Sequence, residues 1–502
     1  MSERWLPLVA AALLAGPGAA MAAEDRPLPK FGVSALLPTD HWAVRAAVRL
    51  DGVGLVTGWL PASQAAPMYM VWAALEEGAR RAETERPAMA ALAKGWKEKF
   101  QQEWRGIDEK GLWRFVGGQA SAGYQWNGLT PAPPETPPAF WSLTPPHESA
   151  PFVAAEAAGA ISDYLALQAV VAATTDEVTW AGALVTGVGP VSLSVGRVPG
   201  QTGFAAPGGG VVIGGGNLRD QVEFQIFRPV DIYIGLLSFD LSLGLLRPPH
   251  HDYGTLLWQW SLQYQPVPRL TFSIQSGVMM GSETWEQATG SPFTWKDFAK
   301  AITYRGNGTE NNVYSVAGRY RLPTEDWVPV TLYLDWGGDD NGGAWYSAPG
   351  IDAGFLVPSL PFAPEVSVGF EWSFFGTVCQ PGAPEGGLCR PPDMGLNWYT
   401  HGYYSWTRGD LPLGHRMGGN GREYLLYAAA DLLDARLLLR GDVFLRDRFS
   451  GNLYAPYTGK TGGFDAQATW RIGIGEVGVS GSLETGGGWT TGGAGAHARV
   501  FF

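Results

Sequence analysis

The chain has 502 residues, a formal net charge of −12, only 16% charged residues, and 69 Gly, 22 Trp, 22 Phe and 18 Tyr. The acidic balance, which removal of the first residues would not alter because Glu3 and Arg4 cancel, argues against nucleic acid as a partner. Poor helix material rich in glycine and aromatics suits tight turns and aromatic girdles, so a β-barrel or a large β-sandwich is expected.

Arg4 precedes an apolar run from Trp5 to Leu14, and Ala20-Met21-Ala22 supplies small residues for cleavage, so residues 1–22 read as an export signal. The run is too short for ~30 Å of hydrocarbon and is interrupted at Gly16-Pro17-Gly18. No later stretch approaches ~20 apolar residues, which leaves a closed barrel as the way to cross a membrane.

Residues 23–110 are expected to form a small periplasmic helical domain. From His41 to Trp104, Ala43, Ala46, Ala47 and Leu50, then Met70, Val71, Ala74 and Leu75, recur at helical spacing, with Asp40 as the expected N-cap. Asp40-His41-Trp42-Ala43, Arg49-Leu50, Gly54-Leu55-Val56 and Gly58-Trp59 together resemble one degenerate S-layer-homology unit. That resemblance implies contact with peptidoglycan; a helical bundle packing on a barrel mouth is the alternative.

Residues 111–502 are expected to form the barrel. Leu256, Trp258, Trp260, Leu262 and Tyr264 alternate with Gln259, Ser261, Gln263 and Gln265, and Val366, Val368, Phe370, Trp372 and Phe374 with Glu365, Ser367, Glu371 and Ser373. A third case sets Leu437, Leu439, Val443 and Leu445 against Arg440, Asp442 and Arg446, with Leu438 and Phe444 intruding on the polar face. At the end, Ala494, Ala496, Ala498, Val500 and Phe502 oppose His497 and Arg499, as in a closing strand.

The candidate strands are 115–126, 152–161, 163–174, 177–187, 189–198, 220–228, 231–240, 254–265, 268–280, 310–322, 328–336, 347–356, 363–374, 422–432, 436–447, 462–474, 476–486 and 490–502. An even count of about 18 antiparallel strands returns both ends to the periplasm and puts the short links there and the long ones, such as 281–309 and 448–461, outside. Counting 396–406 as a wall strand would break the parity. The spacing therefore predicts that 375–421 is one extended loop folded into the lumen, rich in aromatics at Trp398, Tyr399, Tyr403, Tyr404 and Trp406.

Several segments together are similar to the capsule assembly Wzi family of outer-membrane proteins. Val191-Ser192-Leu193-Ser194-Val195 leads through Gly196-Arg197 to a glycine-rich loop ending at Asn217; Pro268-Arg269-Leu270-Thr271 leads to Gly281-Ser282-Glu283; Leu332-Tyr333-Leu334-Asp335-Trp336 leads to Gly338-Asp339-Asp340. The most distinctive piece is Trp398-Tyr399-Thr400-His401 with Leu413-Gly414-His415 and Gly418-Gly419-Asn420-Gly421. The resemblance spans Val191 to Gly421 and implies an 18-stranded barrel with a periplasmic helical bundle, a lectin-like surface protein that attaches or organises capsular polysaccharide. The S-layer-homology-like character of 40–59 departs from that pattern.

Signs of catalysis are absent. The histidines (41, 147, 250, 251, 401, 415 and 497) form no ligand pair at helical spacing, and neither a G-x-S-x-G elbow nor a G-x-x-x-x-G-K loop occurs. In a glycine-rich loop Asp339-Asp340 reads as a pair of solvated turn residues rather than acid/base partners or a calcium site, so no cofactor and no metal are expected. Cys379 and Cys389 are too few for a disulfide scaffold and are expected to close one small loop.

Binding needs only polar lumen groups and aromatics on which sugar rings stack. Asp335, Arg440, Asp442, Arg446 and Arg499 are the candidate lumen groups, with a structural ion-pair ladder as the alternative. Trp345, Tyr346, Trp398, Tyr399, His401, Trp406 and His415 are candidate polysaccharide contacts, with interface anchoring as the alternative for the tryptophans. The expected function is non-catalytic binding or organisation of surface polysaccharide, ahead of a passive porin and an outer-membrane lipid-modifying enzyme. Outer-membrane lipid, surface polysaccharide and peptidoglycan are the expected partners.

Overall fold

The computed structural model describes residues 33–38, 41–56, 58–59, 65–104, 114–127, 150–175, 178–198, 203–204, 210–214, 219–246, 254–303, 309–339, 349–376, 398–399, 403–408, 411–449, 452–453, 458–486 and 488–502. The export signal, the two cysteines, Trp345, Tyr346 and His401 lie outside them.

In chain order the elements are β1 (Leu36–Pro38), α1 (Trp42–Gly52), β2 (Ala65–Pro67), α2 (Met68–Glu85), α3 (Pro87–Glu103), β3 (Arg114–Asn127), β4 (Ala150–Ser162), β5 (Leu165–Thr174), β6 (Val178–Val188), β7 (Val191–Val198), β8 (Arg219–Asp231), β9 (Leu236–Leu245), β10 (Leu256–Val267) and β11 (Leu270–Met280). There follow α4 (Ser282–Thr289), α5 (Trp295–Ile302), β12 (Asn311–Arg321), β13 (Thr331–Asp339), β14 (Gly350–Val357), β15 (Val366–Phe375), β16 (Thr407–Arg408), β17 (Leu411–Pro412), β18 (Gly421–Leu432), β19 (Leu437–Arg448), β20 (Gly459–Ile472), β21 (Gly475–Gly486) and β22 (Trp489–Phe501).

β3 to β15 and β18 to β22 make a closed antiparallel barrel of eighteen strands, each paired with its sequence neighbours. The last strand closes on the first, with Phe501 opposite Gln119 and Ala494 opposite Trp126. Each predicted strand corresponds to one of these. β16 and β17 form a separate hairpin, and the wall runs directly from β15 to β18, so the aromatic segment before Gly421 is no wall strand.

Polarity is inverted relative to a soluble sheet. On β10 and β11 the inward Gln259, Ser261, Gln263, Thr271, Ser273 and Gln275 are at most 1% exposed, while the outward Phe272 and Ile274 are 43% and 47% exposed. Val443 and Leu445 on β19, and Val477 and Val479 on β21, likewise face outward. In hydrocarbon the backbone must be paired throughout, and a closed barrel achieves this without an edge. No helix among the described residues is long and apolar enough to cross a membrane.

Helices α1 to α3 lie across the end of the barrel that has short turns. Their mutual packing follows the predicted spacing: Ala43, Ala46, Ala47 and Leu50 are buried on α1 and Val71, Ala74 and Leu75 on α2. Asp40 is not the cap; His41 is, its Nδ1 accepting from the Ala43 N–H at 3.2 Å. Asp40 itself lies outside the described residues.

Ion pairs tie this layer to the wall. Arg49 donates to Asp431 Oδ2 at 2.7 Å and to the carbonyls of Pro358 and Pro364. Asp51 accepts from Arg319 and lies 3.7 Å from Arg321. Lys99 bridges Glu103 at 3.0 Å and Glu476 at 2.9 Å, Arg471 reaches Glu103 at 3.3 Å, and Arg499 reaches Glu476 at 3.4 Å. On the opposite arc, Gln168 Oε1 accepts from the Leu36 N–H, and Val33 and Leu36 pack on Ala166, Val170 and Val185 of the inner wall.

Two outcomes are expected. Asp51→Ala leaves Arg319 without its buried counter-charge and should weaken docking of the helical layer by about 3–5 kcal/mol; protease release of residues before β3, with the barrel still resisting heat in detergent, measures this. Burial, then Arg499, Arg45 and Lys99, pull the His41 imidazole from 6.5 down to about 3. The folded state therefore holds the neutral ring, so this contribution is complete above pH 6.5 and is lost as pH falls toward about 3. Protease release should rise with acidification through that window, and His41→Asn, which keeps a capping acceptor, should flatten the dependence.

Candidate functional site

The predicted lumen groups point inward but separate into two sectors. In the first, on β18 to β21, Arg446 pairs with Glu423 and with Glu484 at 2.9 Å, and Arg448 with Glu484 at 2.6 Å. Arg416 spans Glu423 at 3.1 Å and Asp442 at 3.8 Å, and Arg440 reaches Asp442 at 3.4 Å. Phe444, which intruded on the polar face in the sequence pattern, lies beneath the Arg446 guanidinium at 3.8 Å. Arg440, Asp442 and Arg446 thus belong to one ladder. Arg499 does not join it; it pairs with Glu476 beside the helical layer.

In the second sector, on β13 to β15, Asp335 stands opposite Asp352, and Asp352 opposite Ser373. Asp335, Asp352 and Glu371 are fully buried. Glu371 accepts from the Tyr333 hydroxyl at 2.8 Å, and Asp335 Oδ2 accepts from the Gln275 amide and the Val211 N–H, each at 3.2 Å.

Two segments fill the lumen beside these walls, one around 210–214 and one from Trp398 to Asn420. The Tyr399 hydroxyl joins them, donating to the Val211 carbonyl at 2.6 Å and accepting from the His415 N–H at 3.0 Å. The Trp406 indole donates to the Val212 carbonyl at 2.7 Å, and the Gly214 N–H to the Leu413 carbonyl at 2.6 Å. Tyr404 reaches the Gly281 carbonyl at 2.6 Å, the Asp339 carboxylate accepts from the Tyr399 N–H at 2.7 Å, and the Asn452 amide donates to the Met417, Gly419 and Asn420 carbonyls.

The wall makes room for this plug with glycines. A Cβ at Gly350 would come 2.7 Å from Trp398 Cη2, and one at Gly277 would come 2.7 Å from Trp406 Cη2; both contacts are too close for carbon atoms.

Trp398, Tyr399, Trp406 and His415 are therefore all buried within the plug, and a sugar reaching them would first have to displace it. Tyr403 is half exposed. Asp352, Glu371, Ser373 and Val211 were not singled out from sequence as site residues. Inward parity on 363–374 marked Glu371 and Ser373, but nothing in the sequence marks Val211, whose role depends on a loop crossing the lumen.

His415 comes 3.1 Å from Ser373 Oγ, 3.6 Å from Asp352 and 3.7 Å from Glu371, all through Nε2. A hydrolytic triad requires the acid on the ring nitrogen remote from the serine. Here Nδ1 accepts from the Met417 N–H at 3.2 Å, so Nε2 carries the proton and donates toward Ser373 rather than acting as its base.

A closed barrel with an apolar outer surface, a polar lumen and a luminal plug defines a Gram-negative outer-membrane protein. The family model for capsule assembly protein Wzi matches residues 220–472, half of the chain, and the chain belongs to that family. Among solved structures it is similar to Wzi of Escherichia coli, an outer-membrane protein involved in group 1 capsule assembly and described as a carbohydrate-binding β-barrel. That match has 13% identity and a TM-score of 0.65, and covers 93% of this chain and 99% of Wzi; it shows a shared fold. OccK11 (OpdR) of Pseudomonas aeruginosa matches at 9% identity, over 78% of this chain and 96% of its own, with a TM-score of 0.46. OccAB4 of Acinetobacter baumannii matches at 11%, over 79% and 99%, with a TM-score of 0.45. No curated protein matches.

Gly350→Leu should drive Trp398 from its seat and loosen the plug. Indole emission should shift to longer wavelength and plug peptides should exchange hydrogen faster, whereas Gly441→Leu, where the nearest neighbour of a Cβ is 3.8 Å away, should change neither.

Proposed function

We propose that this protein acts at the cell surface, without catalysis, to bind or organise capsular or extracellular polysaccharide. The observation that carries this reading is the plug: side chains bonded to one another and to the wall occupy the lumen, and the helical layer lies across the other end, an arrangement that favours a surface scaffold over a passive porin. Membership of the Wzi family and the described activity of the Escherichia coli protein support the choice of ligand. The orientation of His415 argues against a hydrolytic role for the Ser373, His415 and Asp352 grouping.

Outer-membrane lipid is the proposed partner of the outward apolar face. Peptidoglycan is the proposed partner of the helical segment only through its S-layer-homology-like residues. Of these, Arg49 and Trp59 are buried and Trp42 donates to Glu103, which supports closure of the periplasmic mouth more directly than wall binding. On the plug, Tyr403 offers an aromatic face to a sugar without rearrangement.

The intact protein in a planar bilayer should show no steady conductance, and deletion of 398–420 should open a channel. In the native cell, loss of the protein should leave total surface polysaccharide unchanged while moving it from the cell-bound fraction to the medium, and Tyr403→Ala should do so in part without opening a channel. Steady conductance of the intact protein with normal polysaccharide retention would favour the porin.

A further inference from the structure

The two lumen sectors differ in how their carboxylates are neutralised. Glu423, Asp442 and Glu484 each have arginine partners. Asp335, Asp352 and Glu371 have none: among the described residues, no lysine or arginine comes within 4.0 Å of any of the three, and the basic side chain beside them is His415, 3.6 Å from Asp352 and 3.7 Å from Glu371.

Their oxygens are also under-bonded. Asp335 Oδ1, both oxygens of Asp352 and Glu371 Oε1 are buried without a hydrogen-bond partner. Like charges directly across a strand pair, as Asp335 and Asp352 are, repel, and a buried charge without compensation costs several kcal/mol. Of the neighbouring donors, Tyr333 bonds Glu371 Oε2, Gln275 and the Val211 N–H bond Asp335 Oδ2, and the Ser315 and Ser373 hydroxyls face Asp335 and Asp352. Four free carboxylate oxygens from three strands remain on one side of the lumen.

We propose that this sector is an oxygen-ligand divalent-cation site, with Asp352 and Glu371 as the ligands and Asp335 adding negative charge from the facing strand. Hard oxygen ligands select calcium or magnesium over softer metals. The candidate ligand atoms of Asp352, Glu371 and His415 all lie within 4.8 Å of one another, close enough for one ion to bridge the two carboxylates. His415 is not a ligand, because the Met417 N–H holds Nδ1 as an acceptor and leaves the proton on Nε2. It sits over the site from the plug, and Asp335 and Tyr399 both bond Val211. The cation therefore neutralises the wall directly beneath the plug's central brace, and its removal restores mutual repulsion there.

The test uses the full-length protein in detergent, stripped with chelator and equilibrated overnight with Tb3+, whose emission the adjacent Tyr399 and Trp398 can sensitise. One site per chain is expected, with Ca2+ displacing Tb3+ at least tenfold better than Zn2+. Asp352→Asn combined with Glu371→Gln should weaken Tb3+ binding about a hundredfold, while Asp326→Asn, at a fully exposed turn, should not. Should the double variant fail to fold, a Tb3+-soaked crystal of the unaltered protein decides, with an anomalous peak expected at the Asp352 carboxylate. Absence of sensitised binding and of the peak, binding unchanged by the double substitution, or a preference for Zn2+ would each overturn the proposal.

Discussion

A peptide group in hydrocarbon has no water to bond, and the architecture of this chain follows from that constraint. Eighteen strands close on one another so that the wall has no unpaired edge. Closure in turn inverts the usual burial. Val443 and Leu445 look outward while glutamine, serine and charged side chains fill the interior, and each buried polar group then requires a partner across the lumen.

The partners differ along the barrel axis, and so do the two closures. At the short-turn end, long cationic side chains reach between helix and wall: Arg49 to Asp431, Lys99 to Glu476 and Arg471 to Glu103. Such pairs position elements without adding much net stability, and their distribution around the rim fixes the helical layer in one orientation. At the other end the plug is held by neutral hydrogen bonds from tyrosine, tryptophan and asparagine to backbone carbonyls, packed against glycines. That arrangement is dense and directional, and it leaves little room for solutes to pass.

Between the closures the lumen wall is electrostatically divided. The arginine ladder on β18 to β21 neutralises its acids internally, so that sector is self-sufficient. Among the described residues the acids of β13 to β15 have no lysine or arginine partner, and they lie directly beneath Tyr399 and His415. A surface-acting barrel whose plug rests on an acidic sector couples the state of that sector to access to the lumen, which links the proposed cation to the proposed surface role.

Strand number, strand faces and the exclusion of 396–406 from the wall were legible in the sequence because a pleated strand alternates with period two, and a barrel must return to its starting side. The helices were legible from the spacing of Ala43, Ala46, Ala47 and Leu50. The cap falls one residue later than residue preference alone suggests, because His41 holds the extended backbone that precedes α1. Sequence likewise identified Asp335, Asp442 and Arg446 as inward. It could not say that Asp335 stands opposite Asp352 while Arg446 meets Glu484, since register and lumen-crossing contacts join residues many tens of positions apart. The alternating pattern determined which way each side chain points; only the closed tertiary structure decided what it meets there, because a partner across a lumen leaves no periodic trace in the chain.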